Sequence, residues 1–465
     1  MNQLFLPDLM FADGRAHEGA GLLVDSTGAV AGVMRPGDAR GATVVRLPSK
    51  ALLPGLANAH SHTFQRLFRA RAEGRAKGGD TFWTWREQMY RAAGFVSPED
   101  VYDVARAAFL EMLSAGITIV GEFHYLHNDR DGRPYGDANT LSKAVIRAAE
   151  SAGIRICLLR SAYLRAGYQK EPHPGQRRFY ETGDRYLRNL EALIEEVAGR
   201  PLVTVGAAPH SVRAVPLAGM KEIAAYAGER KLPLHTHISE QPAENDACMA
   251  EYGETPVTLL TNNGVLVNAG RRGTLVHAIH LSAHEFGLLS ANENTICSCP
   301  TTERNLGDGV FLADVVARLG IPVAFGTDSQ AQIDILEDAR ENEYHLRLVR
   351  QERGILDRVH GEEIAHRLLN SATAAGYRAL GVVGGNLAPG EPADFFTVDL
   401  NDVALLGTDA ASLASQAVFA ASRAAIRDVA VAGGLVIADG RHVRDEEIRE
   451  RYLAVQKRFV EEDGR

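Results

Sequence analysis

From Leu52 to about residue 383, short apolar runs alternate with stretches whose apolar residues recur at helical spacing. The runs are LLPGLANAH, ITIVGEF, IRICLLRSAY, PLVTVGAAPH, KLPLHTHISE, GTLVHAIH, NTICSCP and PVAFGTDS. Such alternation is the signature of parallel βα units. Eight units predict an α/β fold, a (β/α)8 TIM barrel. One helix can be argued residue by residue. Ser97 is a good N-cap, Pro98 suits the first turn, and Asp100 sits where an acid faces free backbone N–H groups. Val101, Val104, Ala105, Ala108, Phe109 and Met112 then form one stripe at helical spacing, and Gly116 ends the helix.

The two ends have another texture. Residues 1–53 read as short strands and turns, with GLLVDSTGAVAGVM a hairpin turning at Ser26, Thr27 and Gly28. Strand-and-turn texture returns after residue 383, in GGNLAPGEPADFFTVDL and VAVAGGLVIADGR. The expectation is a composite β-sandwich domain from 1–53 plus 384–445, a barrel over 54–383, and a C-terminal helix over 446–465. That helix, within RDEEIRERYLAVQKRFVEEDGR, is expected to be exposed, its charges a solvated face.

Composition narrows the class. The 465 residues are 45% hydrophobic and 23% charged, an ordinary globular balance. A net charge of -9 with no basic block argues against nucleic acid as a partner. It leaves room for an anionic small molecule bound by a few buried arginines. Four cysteines imply no disulfide framework, and Cys297 and Cys299 read as two positions on one face of a buried strand. No apolar run reaches the roughly 20 residues of a membrane helix, and the N-terminal segment lacks the order of a secretion signal. The expectation is a cytoplasmic protein with no membrane partner.

The chemistry lies where the strands end, because in a barrel those ends converge on the active-site face. The first run ends in His60-Ser61-His62, whose imidazoles share one side by strand alternation. Later runs bring His235-Thr236-His237 with Glu240 beyond, then Val276-His277, then Gly326-Thr327-Asp328-Ser329. Three imidazoles and a carboxylate suit Zn²⁺ and leave a position for water. One HxH among 16 histidines would mean little; the set at successive strand ends predicts a metal site.

PGLANAHSH, HTHISEQ, VHAIH and GTDS resemble the metal-binding strands of the amidohydrolase superfamily, and PGEPADFFTVD resembles its flanking domain. AHSHTFQR, FWTWREQMYR, GEFHYLHNDRDGRPY, PHSVRAV and NLGDGVF are similar to its formimidoylglutamate deiminase family. The resemblance implies a barrel of the amidohydrolase type. It implies one Zn²⁺ held by His60, His62, His237 and Asp328, with His235 a strand residue or a group behind the ligands. Fe²⁺ or Mn²⁺ fit the same donors. It implies hydrolytic deamination of N-formimidoyl-L-glutamate to N-formyl-L-glutamate and ammonia, a step of histidine degradation, by zinc-activated water. In that reading Asp328 accepts the water proton, Glu240 works as general acid/base and His277 orients the attacking oxygen. A dicarboxylate substrate needs cations, and Arg213 and Arg86 are the candidates. The resemblance adds Gln65, Tyr125 and His210 as hydrogen-bonding groups. Trp83 and Trp85 read as core packing or a loop lid. Gln330 stands where the family often has His or Asn. Barrels of this kind commonly form homodimers. The alternatives are an amidohydrolase deaminase of purines or other rings, and a metal-binding scaffold without catalysis.

Overall fold

The computed structural model describes residues 2–73, 82–358 and 363–463. All eight apolar runs become strands of one parallel sheet in chain order. They are Leu56–Ser61, Ile117–His124, Arg155–Ala162, Val203–Pro209, Leu234–Ile238, Gly273–His277, Thr295–Ser298 and Val323–Phe325. The ring closes where the last meets the first: Ser61 bridges Asp328, the Asp328 N–H donates to the His60 carbonyl, and the His62 N–H donates to the Asp328 carbonyl. Gly326 makes that seam close, since a Cβ there would lie 2.7 Å from the Cβ of His60.

Both ends of the chain build the second sheet. Its nine strands hydrogen-bond as one mixed sheet. The central strand, Thr43–Pro54, runs parallel to Gln3–Ala12 and antiparallel to Phe395–Asp399, so the two ends zip together there. The expected hairpin is present as Gly21–Val24 and Val30–Met34. Bonds from Val30 to Glu391 and from Ala393 to Gly28 draw the sheet's far edge back over a core of Phe5, Met10, Leu22, Leu52 and Phe395. Asp394, in the PGEPADFFTVD stretch, joins this sheet to the barrel. Its carboxylate takes two bonds from Arg155, at 3.0 and 3.2 Å, and one from the Tyr377 hydroxyl at 2.7 Å.

The helix Pro98–Ser114 starts on a capping box of Ser97 and Asp100, and Gly116 follows it at positive φ. The structure corrects two expectations about its surroundings. The helix is buried on more than one stripe, because the C-terminal helix Asp445–Asp463 lies along its outer side through Ile448, Val455 and Phe459. The charges of that second helix are therefore not only a solvated face. Arg458 pairs with Asp100 at 2.5 Å, Arg451 with Asp103 at 2.7 Å, and Glu447 with Arg106 at 2.9 Å. No described helix is long and apolar enough to cross a membrane.

Candidate active site

Four donor atoms converge at the strand ends. Nε2 of His60 lies 3.1 Å from Nε2 of both His62 and His237, and Oδ1 of Asp328 lies 3.5 Å from His60 and 3.2 Å from His62. These atoms all fall within 4.8 Å of one another and are buried. A metal fits this set, for a reason visible in the outer nitrogens. Nδ1 of His62 faces the Phe123 carbonyl at 2.8 Å, and Nδ1 of His237 faces the His210 carbonyl at 3.0 Å. A carbonyl only accepts, so both Nδ1 atoms carry the hydrogen and both Nε2 lone pairs point inward. Lone pairs converging at 3.1 Å beside a carboxylate need a cation between them. Burial pushes His60 down to about 3 and His237 well below its ordinary value, which keeps both rings neutral and able to ligate. Burial pushes the Asp328 carboxyl up, but the His60 and His62 rings beside it outweigh this and hold it well below its ordinary value.

His235 shares the face of His237 but sits one pleat deeper, where Nε2 donates to the Ala379 carbonyl at 2.8 Å. It stands behind the cluster. Cys297 and Cys299 pack with Ala59, Val276 and Ala324, as core side chains do.

A second group of acids surrounds His277. Its Nε2 is 3.8 Å from both Oε1 of Glu240 and Oδ2 of Asp328, and its Nδ1 is 3.4 Å from Glu303. Burial alone would lower this imidazole, but the carboxylates of Glu240, Glu303 and Asp328 outweigh it and raise it well above its usual value. Burial raises Glu240. It also raises Glu244 to about 7, helped by the negative charge of Glu240. Five backbone positions here take left-handed φ without being glycine: Ser239 at 50°, His277 at 72°, Ala278 at 52°, Asp328 at 45° and Gln330 at 62°. Such conformations persist only where surrounding structure enforces them, and they turn these strand ends into the site.

One cavity opens onto this cluster, lined by His62, His237, Glu240, His277 and Asp328 together with Gln65, Arg86, Tyr125, His210 and Arg213. Of the residues expected from sequence to build the site, only His60 is not in its wall. Gln65 donates to the Tyr125 hydroxyl at 2.9 Å. Arg213 is held by its loop, whose carbonyls at 212 and 213 take bonds from Arg165, itself paired with Glu251. Among the described residues, Arg213 has no carboxylate in ion-pair contact; Nη1 donates to the Tyr163 hydroxyl at 2.9 Å. Trp85 also lines the cavity, with Phe68 at 5.6 Å between ring centroids. The side chain of Trp83 lies outside the described residues.

Comparison with known proteins agrees with this geometry. The profile of the amidohydrolase family matches residues 51–436. The chain belongs to the amidohydrolase family. Among curated relatives, it is 40% identical to the formimidoylglutamate deiminase of Pseudomonas aeruginosa over 408 residues, 87% of this chain and 88% of that one. It is 27% identical to a 5-methylthioadenosine/S-adenosylhomocysteine deaminase of Teredinibacter turnerae over 371 residues, 78% of this chain and 74% of that one. Among solved structures, an amidohydrolase from Brucella melitensis superposes with a TM-score of 0.90 at 30% identity, covering 98% of this chain and 100% of that one.

Several residues of this amidohydrolase's site escaped the reading of its sequence. Tyr163 and Phe179 line the cavity, and Glu303 and Asp308 stand behind His277 and Glu240. Burial, then the charge of Glu240, pushes Asp308 up to about 9. Tyr163 had a usable signal, since it follows directly on the third strand of the barrel. Glu303 had none, because it reaches His277 from the helix Pro300–Leu306, after a strand that offers no polar ligand. Gln330 is a buried strut: it donates to Ser61 at 2.8 Å and accepts from Thr327 at 2.9 Å.

Proposed function

We propose that this amidohydrolase binds one zinc ion through His60, His62, His237 and Asp328 and hydrolyses N-formimidoyl-L-glutamate to N-formyl-L-glutamate and ammonia, a reaction of histidine degradation. The observation that carries the reading is one cavity whose wall brings together metal-ligating side chains, two proton-handling side chains and an Arg213 guanidinium with no carboxylate partner among the described residues. The 40% identity to a formimidoylglutamate deiminase supports the same substrate.

When bound, the ion lowers the pKa of water towards neutrality and so supplies a nucleophile. The residues do the rest. Asp328 turns Oδ1 towards His60 and His62, which leaves Oδ2 on the His277 side to take a proton from the attacking water. His277, gripped by Glu303, fixes the direction from which the oxygen approaches. Glu240, on the other side of the same ring, delivers a proton to the terminal formimidoyl nitrogen. A C–O bond forms as the C=N π pair moves to nitrogen. The C–N bond then breaks, and both water hydrogens end on the departing ammonia. Arg213 and Arg86 bind the substrate's carboxylates, and Gln65, Tyr125 and His210 complete the polar wall.

The test is ammonia release from N-formimidoyl-L-glutamate, with metal analysis of the same sample. Turnover with near one equivalent of zinc is expected. Robust turnover of 5-methylthioadenosine or a nucleobase, with none of the formimidoyl acid, would reject the reading.

A further inference from the structure

We propose that the Tyr163 hydroxyl donates its hydrogen to a carboxylate of the substrate, beside Arg213, and so helps set the enzyme's preference for acidic substrates. The oxygen of Tyr163 receives three N–H groups: Gln176 Nε2 at 2.8 Å, Arg213 Nη1 at 2.9 Å and Arg86 Nη2 at 3.4 Å. A phenol oxygen has two lone pairs and one hydrogen to give. Its accepting capacity is spent, and none of its three contacts accepts in return.

The orientation of Gln176 decides whether that hydrogen is free, and its amide oxygen faces Tyr180. The Tyr180 hydroxyl accepts from the His173 N–H at 3.3 Å and donates to Oε1 of Gln176 at 2.7 Å. The amide nitrogen is thereby turned towards Tyr90 and Tyr163, at 2.7 and 2.8 Å. Tyr163 is 2% exposed and lines the cavity. A buried O–H with no acceptor among the described residues is costly. The acceptor that suits it is one the arginine beside it also suits, a carboxylate oxygen. A ring nitrogen would satisfy the hydroxyl and leave Arg213 uncompensated.

The inference rests on the reading of this cavity as a site for acidic substrates, and the experiment separates the two. Glutarate and its neutral diamide, glutaramide, are titrated calorimetrically into the metal-loaded wild type and into Tyr163→Phe and Gln176→Met. Tyr163→Phe is expected to weaken glutarate by about tenfold or more, as for a hydrogen bond to a charged group, and to leave glutaramide unchanged. Gln176→Met, which keeps the hydroxyl, is expected to stay within about threefold of wild type. In turnover of N-formimidoyl-L-glutamate, Tyr163→Phe should raise KM by the same factor and leave kcat within about threefold. Unchanged glutarate affinity, equal losses in both variants, or a fall in kcat at constant KM would overturn the proposal. If the wild type fails to turn over the formimidoyl acid while glutarate binding still depends on Tyr163, the reaction assigned above falls and the carboxylate donor stands.

Discussion

At the scale of single residues, the cavity separates binding from proton transfer. In the proposed reaction Arg213 binds a substrate carboxylate without touching the reacting carbon's proton donors, so Arg213→Ala should raise KM by about ten- to a hundredfold, the worth of a charge-assisted bond. Steady-state kinetics would show it, with kcat much less affected. Glu240→Gln keeps the shape and removes the proton, and should lower kcat by about a hundredfold or more at little change in KM. Away from the site, Glu181 makes a pH prediction. Burial pushes its carboxyl up, but His127 and Arg160 outweigh this and hold it at about 2. Its folded pKa is depressed below that of the unfolded chain, about 4.3. The stability it contributes, on the order of 3 kcal/mol, is present above that value and lost as pH falls towards 2. Glu181→Gln should lower the melting temperature at pH 7 and flatten its decline between about pH 5 and 2. The ligand histidines were legible in the sequence because strand alternation puts i and i+2 on one side. Tyr163 was less so: its importance comes from three donors contributed by residues 86, 176 and 213, and no local pattern announces such a meeting.

At the scale of elements, the C-terminal helix shows what periodicity leaves out. Its charged composition reads as a solvent-facing helix, and the stripe on Pro98–Ser114 accounts for one buried side. Only their pairing reveals that Asp100, Asp103 and Arg106 face Arg458, Arg451 and Glu447. A charge pattern on one helix says nothing of its partner three hundred residues away. Each pair joins a buried group to a half-exposed one that water screens, so it contributes little singly; the apolar contacts of Val455 and Phe459 carry the docking. Val455→Asp buries an unpaired charge and should cost several kcal/mol, read as a lower denaturation midpoint. Arg451→Ala should cost no more than about 1 kcal/mol. If Arg451→Ala proved the more damaging, the order of these contributions would be reversed.

At the scale of the whole molecule, one joint holds barrel and terminal sheet in register and a second closes the barrel. The first is Arg155 with Asp394, both largely buried. Arg155→Ala strands a carboxylate that is 1% exposed and should cost about 3–5 kcal/mol by chemical denaturation. Strand order in the barrel could be read from the sequence because alternation prescribes it. That the flanking segments hydrogen-bond as one sheet could not, because the pairing of Thr43–Pro54 with Phe395–Asp399 joins stretches separated by the whole barrel. The second joint is the seam between the first and last barrel strands. Removing the ion with a chelator should abolish turnover and lower the melting temperature, and zinc should restore both. The seam has one more consequence. His60 and Asp328 stand on opposite lips of it, drawn together by a glycine that permits no side chain between them. A cation held by this cluster would bridge the closure. A chain still being synthesised, with its last strand not yet emerged, carries imidazoles at one edge and lacks the carboxylate that completes their grip. The donor set is therefore complete only once the last strand has joined the first.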